Sequence, residues 1–186
     1  MSCDATNNQA FNIGETIPKI SYSCVSYLVN NNELIWKLLK DKTPDAWNIG
    51  NVSKSEKSSM IYNGIGDMNN FHVFIDDNQD DAFNTETTYI RIYPMQEIAI
   101  NRLMTSVDVC MVVYTHANCN HLSNYETRVE RVIQQFKETF NGKDIPSVGQ
   151  LVYDGTRSRS CKAMIVGRTP FKGKAIVFNV LASSVV

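Results

Sequence analysis

The second half of the chain restricts the possible folds most, because it reads as two strands, a helix and three further strands. Its segments in order are TTYIRIYP, SVDVCMVVYTHA, SNYETRVERVIQQFKETFNGK, GQLVYDG, CKAMIVG and GKAIVFNVLAS. Within the helical segment, apolar residues recur at spacings of three and four, which gives the helix one apolar face. We therefore predict an α+β fold in which one long helix covers a small mixed or antiparallel sheet. The apolar face consists of Val129, Val132, Ile133, Phe136 and Phe140.

The first two of these strands have different patterns of side chains. From Thr87 to Pro94, large polar side chains alternate with isoleucines, so the two sets are predicted to lie on opposite faces of the sheet. The segment from Val107 to Tyr114 is almost wholly apolar and rich in β-branched residues, which favours the centre of the sheet. Proline lacks the N–H that a ladder needs, so Pro94 is predicted to end the pairing or to mark an edge. The polar set is Tyr89, Arg91 and Tyr93, and the apolar set is Ile90 and Ile92.

Capping and turn residues predict where the helices begin and end. Ser53 and Glu56 have the spacing of a capping box, which predicts a short helix through Tyr62. The same pattern at Ser123–Glu126 predicts the start of the long helix, and Asn141–Gly142 is typical of its end.

The N-terminal part of the chain is predicted to be partly helical. Ser21 to Lys40 has a broad apolar face, and the poor helix formers Asn30–Asn32 predict a break within it. Residues 1–20 have no periodicity and predict an extended N-terminal arm, which either frays or lies on a neighbouring subunit. Since no repeat or linker-like stretch follows, residues 21–186 are predicted to form a single α+β domain.

The C-terminal quarter is predicted to contain three strands, at 151–153, 162–166 and 175–181. Between the first two lies the polar stretch DGTRSRS, over residues 154–160, which predicts a hairpin or a loop. A further short strand is predicted at Phe71–Ile75, ahead of the aspartate-rich segment.

Composition limits the class of protein that this chain can belong to, but it does not identify an activity. The chain has 186 residues, 43% of them apolar, and a formal net charge of −1, so no global attraction to nucleic acid or to a membrane is expected. Its apolar runs are shorter than the ~20 residues of a membrane helix, and the N-terminal stretch lacks the features of a signal peptide. Five widely spaced cysteines predict free thiols and synthesis in a reducing cytoplasm.

Two clusters contain residue types that can bind metal ions. His116, Cys119 and His121 are all zinc-ligand types, but a structural zinc site needs a fourth ligand and no second pair has the usual spacing. A run of aspartates could hold Mg²⁺ or Ca²⁺, although the spacing and glycine of an EF-hand are absent, so a solvated loop is favoured. We predict no metal site and no cofactor. The aspartates are Asp76, Asp77, Asp80 and Asp81.

Basic residues cluster near the C-terminus, where they could face phosphates, an acidic partner or water. No phosphate-binding loop, zinc-protease motif or nucleophile elbow occurs in the sequence, and no third group would orient a Cys119–His116 pair. The chain is therefore predicted not to be an enzyme and to have no catalytic residues. The basic set is Arg157, Arg159, Lys162, Arg168, Lys172 and Lys174.

In the order and character of its segments, the chain resembles the neck and tail-terminator proteins of tailed bacteriophages, which join the head to the tail. The resemblance extends from Tyr27 to Ala182 and rests on YLVNNNELIWKLLKD, YIRIYP, VDVCMVVYTHAN, ETRVERVIQQFKETFNGKDI, PSVGQLVYD and FKGKAIVFNVLAS. It implies a virion structural protein, made in the host bacterial cytoplasm, that forms a sixfold or twelvefold homo-oligomeric ring between the portal or connector and the tail. A tail-terminator and a head–tail joining role are both compatible with it.

The same resemblance implies which partners and surfaces are used. The partners would be further copies of the chain, the neighbouring portal, connector and tail proteins, and genomic DNA in the channel, with no role for a membrane. The six basic residues become candidates for channel or inter-ring contacts, and the N-terminal arm and the 154–161 segment for contacts between subunits.

Two other functions are compatible with the residues alone. A metal-dependent nuclease could use Asp76 and Asp77 or the group around His116, and it would bind a metal ion. A small DNA-binding or regulatory module could use the basic C-terminal quarter, and its affinity for DNA would depend strongly on salt.

Overall fold

The fold is a five-stranded sheet with its main helices on one face, as seen in a computed structural model that describes residues 8–77, 85–101, 104–167 and 169–183. None of the described helices is long and apolar enough to cross a membrane. The helices are α1 (Asn8–Asn31), α2 (Leu34–Lys40), α3 (Lys54–Ser59) and α4 (Arg128–Phe140), with short 3-10 turns at Ala46–Asn48, Met68–Asn70 and Ala117–Cys119. The strands are β1 (Val73–Phe74), β2 (Thr88–Asn101), β3 (Met104–His116), β4 (Lys143–Ile145), β5 (Gly149–Leu151), β6 (Ala163–Val166) and β7 (Phe171–Ser183).

The strands of the main sheet are ordered β1-β2-β3-β7-β6, and β4 and β5 form a separate two-stranded ribbon. Only the short β1–β2 pair is parallel, and the other pairs of this sheet are antiparallel. The predicted α+β class with a mixed sheet is confirmed, and the apolar strand predicted to be central is β3, the middle one of the five.

The two faces of the sheet belong to two separate apolar clusters. We call the face that contains Ile90 and Ile92 the helix face, because its cluster includes the apolar side chains of α1, α2 and α4. The opposite face contains Tyr89, Cys110 and other residues that pack against Tyr62, Met68 and Phe71. The predicted alternation along β2 is therefore confirmed.

The N-terminal segment differs from its prediction. Residues 8–20, predicted as part of an extended arm, are helical and belong to α1, whereas residues 1–7 lie outside the described residues. The apolar half of α1, which includes Ile20 and Leu28, is buried against the sheet, and a helix anchored in this way extends readily into residues of weak propensity. The predicted break is present, since α1 ends at Asn31 and the carboxamide Oδ1 of Asn32 accepts a hydrogen bond from the Ile35 N–H at 2.8 Å.

The capping predictions have different outcomes at the two helices. Ser53 and Glu56 form the predicted capping box of α3, although that helix ends at Ser59. The predicted start of the long helix at Ser123 is wrong. Tyr125 has a φ of +65°, which no helix tolerates, and α4 instead begins after Thr127, whose hydroxyl accepts the Glu130 N–H.

The structure decides between the alternatives in two predictions about the strands. β2 does not end at Pro94 but continues to Asn101, with a register shift just after the proline. Pro94 lies beyond the stretch that β1 covers, so it does mark an edge. Residues 154–160 form a loop and not a hairpin, because β5 pairs with β4 and β6 pairs with β7.

Candidate assembly surfaces

The three longest strands continue beyond the rest of the sheet and form what we call the distal extension: residues 95–101 of β2, 104–108 of β3 and 179–183 of β7. The register places Ile98 of β2 beside Ser106 of β3, which in turn lies beside Leu181 of β7. Since directly paired residues share a face, these three lie on the side opposite the helix face. Ile98 is 52% exposed and Ile100 is 54% exposed, so this end of the sheet presents an uncovered apolar surface.

The sheet has two edges on which no further strand pairs within the described part of the chain. One is the outer edge of β2 beyond Arg91, because β1 covers only Ile90 and Arg91. The other is the outer edge of β6, where Ile165 is 90% exposed. Open edges carry unpaired N–H and C=O groups that can pair with another chain.

An open groove of about 540 Å³ lies beside the β6 edge, between the β6–β7 turn and the start of α4. Lys174 projects into it from β7 and is joined to Glu130 of α4, with Nζ 2.8 Å from Oε1. Lys172 also lines the groove, is exposed, and has no ion pair among the residues that the structure describes. The groove therefore has an exposed positive charge next to an apolar strand edge.

The six basic candidates do not form one patch. Lys174 pairs with Val113, whose side chain belongs to the helix-face cluster. Lys172 is two residues earlier on the same strand, so both lysines lie on the helix face. Arg157 and Arg159 are exposed in the 154–161 loop, and the alternation along β6 places Lys162 on the side of Met164, opposite the helix face. Arg168 lies outside the described residues.

Hydrogen bonds within the 154–161 loop, and one from the loop to the sheet, hold this loop in place. Asp154 accepts hydrogen bonds from the backbone N–H and the hydroxyl of Thr156, which hold the pKa of this carboxyl below its usual value. Further along the loop, the Ser158 hydroxyl donates to Asp108 Oδ2 at 2.8 Å, and the other oxygen of Asp108 accepts from the Asn179 amide. Asp108 and Asn179 are buried in the sheet, so the loop is fixed in position. Arg157 and Arg159 of this loop are exposed to solvent.

The residues that suggested a zinc site do not converge. The His116 ring packs edge-on against Phe171 and its Nδ1 accepts the Asn118 N–H, while the Cys119 thiol is buried and burial raises its pKa. Across the described ranges, no group of three or more His, Cys, Asp or Glu side chains is placed to hold a metal ion. Cys119 is thus neither exposed nor thiolate-like, as a reactive cysteine would be.

Of the aspartates considered as a metal site, Asp76 instead forms an ion pair with the buried Arg91. The Arg91 guanidinium also lies 4.9 Å from the ring centre of Phe74. Asp80 and Asp81 lie outside the described residues. The first part of the aspartate-rich segment therefore helps to secure the sheet at β1 and β2.

The sequence predictions missed the distal extension, although the sequence contains a signal for it. After Pro94 the chain continues as MQEIAIN, in which Glu97, Ile98, Ala99 and Ile100 alternate as strand residues do. The proline predicts a possible end of the strand, whereas the bulge that follows it lets the pairing with β3 resume.

The chain matches a protein-family model. The family model described as YomW matches residues 31–180, which covers most of the chain and all of the elements from α2 to the last strand but for its final three residues. The name has the form of gene names in the SPbeta phage region of Bacillus, so the match indicates a phage-related protein. No curated protein and no solved structure gives a match.

Proposed function

We propose that this chain, which belongs to the YomW family, is a structural subunit of a phage particle that assembles with its own copies into a ring at the neck, between the portal or connector and the tail. The membership makes the chain phage-related, and the neck role is supported by the surfaces of the sheet. A tail-terminator and a head–tail joining position both fit such a ring.

The observation that carries this proposal is the pair of open edges on one sheet. A closed ring needs a heterologous contact, in which one surface of a subunit meets a different surface of the next. The outer edge of β2 and the outer edge of β6 are two such surfaces at opposite sides of the sheet, and both carry exposed isoleucines. Strand addition at such edges is a common way for protein chains to bind one another.

The loop with Arg157 and Arg159 is our candidate for the contact with DNA in the channel or with the next ring. Its backbone is fixed by Asp154 and by the Ser158–Asp108 hydrogen bond, so its charges have a defined position in every copy. A ring would bring several such loops together around its axis, which a single copy with a net charge of −1 does not do.

The test is to locate the chain in purified particles of the phage that encodes it, by mass spectrometry of the particles and by immunogold electron microscopy. We expect the label at the junction of head and tail. Deletion of the gene should leave heads and tails that are not joined to each other. Intact infectious particles that lack the chain would overturn the proposal.

A further inference from the structure

We infer that the partner of the β2 edge is the β6 edge of a second copy of this chain, so that the main sheet continues from one copy into the next. This inference rests on the proposed ring and names the two surfaces that form its repeating contact. It concerns residues 96–100 of β2 and residues 163–167 at β6, all of which the structure describes.

Strand direction supports this contact. β2 and β7 run in the same direction, and β3 and β6 run in the opposite one, since each neighbouring pair from β2 to β6 is antiparallel. If the next copy keeps the same orientation, as rotation about a ring axis requires, its β2 meets β6 in the antiparallel sense. The alternation of strand directions thus continues across the contact without a reversal.

The side chains on the face opposite the helices are complementary. Ile98 lies on this face of β2, and Met164 and Val166 lie on this face of β6, where both are half-buried. A second register shift falls between Ala99 and Asn101, so the register assigns Ile100 no partner on β3. The register in which Ile98 meets Val166 covers both of these side chains. Cross-strand apolar pairs of this kind are what stabilises a sheet.

The same register joins opposite charges on the helix face. Glu97 lies on the helix face beside Val107 and would meet Gly167 of the next copy, which has no side chain to block it. On the adjacent strand, Lys172 precedes Gly173, the partner of Val166, and is exposed on the helix face. Within the described ranges neither Glu97 nor Lys172 has an ion-pair partner of its own, so a second copy supplies to each the charge that it lacks.

The contact also sets the arrangement of the ring. In the register proposed, Ile98 of one copy lies level with Val166 of another, and within one copy Val166 is level with Tyr89, nine residues before Ile98. One of these nine is a bulge residue, so neighbouring copies are displaced by eight paired positions, ~27 Å along the strands. The distance across the sheet from one copy to the next is four strand spacings, ~19 Å. The ring closes only if its strands are strongly tilted from the axis, as strands are in barrels.

The experiment uses the full chain and two variants that each damage one edge. Ile98→Lys places a cation on the β2 edge, and Ile165→Glu places a carboxylate on the β6 edge, opposite Ala99 and beside Glu97 of the neighbour. Both isoleucines are more than half exposed, so neither change disturbs the core. Ile65→Lys is the matched control, because Ile65 is 76% exposed and lies on neither edge. Oligomeric state is measured by native mass spectrometry and sedimentation over a range of concentrations.

We expect the unchanged chain and Ile65→Lys to form the same oligomer, and each edge variant to associate at least ~10-fold more weakly, since burial of an unpaired charge opposes the contact. In an equal mixture of the two edge variants, Ile165→Glu supplies an intact β2 edge and Ile98→Lys supplies an intact β6 edge. It should therefore give a 1:1 dimer that grows no further. Glu97→Lys and Lys172→Glu should each weaken association, and the double variant should restore it.

Three outcomes would overturn the inference. An edge variant that dimerises by itself would indicate a contact between like edges. Edge variants that assemble like the control would assign assembly to another surface, and the neck role would still stand if particles contain the chain. A chain that remains monomeric at every concentration would also refute the contact, and localisation in particles would then decide the proposed function separately.

Discussion

Arg128 joins two separate stretches of backbone, although its side chain is fully buried. Its guanidinium donates to the carbonyls of Asp41 at 2.6 Å and Thr43 at 2.9 Å, after the end of α2, and its Nε donates to the carbonyl of Cys119 at 2.8 Å. A fourth bond reaches Leu38. Because these carbonyls are satisfied by one side chain, the packing of α2 beside α4 depends on it.

Arg128→Ala should therefore destabilise the fold by about 3 kcal/mol, since it removes hydrogen bonds to two buried carbonyls and two partly buried ones. The measurement is urea unfolding followed by circular dichroism. Arg131→Ala is the matched control: Arg131 lies on the same helix, is half-exposed and only approaches Glu126 at 3.8 Å, so its loss should cost less than ~0.5 kcal/mol. Equal losses of stability in the two variants would contradict this role of Arg128.

Glu56 gives the stability of α3 a dependence on pH. The ion pair with Lys40, at 2.6 Å, and hydrogen bonds from Ser53 lower the pKa of this carboxyl from 4.5 to about 2. Because the folded-state pKa is depressed, ionised Glu56 stabilises the fold above pH 4.5, and this contribution disappears as the pH falls through about 2.

We expect Glu56→Gln to lower Tm at neutral pH, and the difference in Tm from the unchanged chain to shrink steadily between pH 4.5 and pH 2. Thermal unfolding measured in steps of pH tests this. Glu97→Gln, which removes an exposed carboxyl without an ion pair in the described structure, should show no such trend at concentrations where the chain is monomeric. A Tm difference that stays constant with pH would rule out the assigned role of Glu56.

At the scale of the elements, the start of α4 depends on Thr127 and not on the Ser123 pattern. The Thr127 hydroxyl accepts the Glu130 N–H at 3.3 Å, whereas the Ser123 hydroxyl donates to Asp45 and accepts the Trp47 indole N–H. Both sites have the Ser/Thr-x-x-Glu spacing, so the sequence alone does not choose between them. The left-handed Tyr125 lies between them and decides the choice.

Thr127→Ala should cost about 1 kcal/mol of stability and speed amide hydrogen exchange at Glu130, because the first turn of α4 loses its cap. Thr127→Ser keeps the hydroxyl and should leave exchange at this position unchanged. Ser123→Ala should not affect it either, since Ser123 bonds outside the helix. Faster exchange at Glu130 in Ser123→Ala than in Thr127→Ala would show that the capping assignment is wrong.

How much of each element was predictable depends on whether its signal was local. The apolar face of α4 and the alternation of β2 follow from periodicity, the central position of β3 follows from its apolar, β-branched composition, and the structure confirms all three. The helicity of residues 8–20 and the continuation of β2 past Pro94 depend on packing against distant segments, which periodicity does not report. The open edges likewise can be identified only when the strand order is known.

At the scale of the whole molecule, the fold separates positive charges that are close in sequence. Lys172 and Lys174 lie on the helix face, and the loop with Arg157 and Arg159 is joined by Ser158 to the opposite face. A single copy therefore presents few basic residues to one strand of phosphates. Only an assembled ring would repeat the arginine loop around a channel, so DNA binding should depend on assembly.

This leads to a prediction about salt dependence. In the assembled chain, Arg157→Gln/Arg159→Gln should reduce the slope of log K for double-stranded DNA against log salt by about 2 for each copy that contacts the DNA, because each phosphate contact contributes ~0.9. The control double variant Lys54→Gln/Lys143→Gln removes two exposed lysines outside the loop and should leave the slope unchanged. Fluorescence anisotropy at several salt concentrations measures both slopes.

The Ile98→Lys monomer should bind weakly whether or not the arginines are present. If both double variants have equal slopes, the loop does not face DNA, and its arginines are left as candidates for the contact with a neighbouring ring.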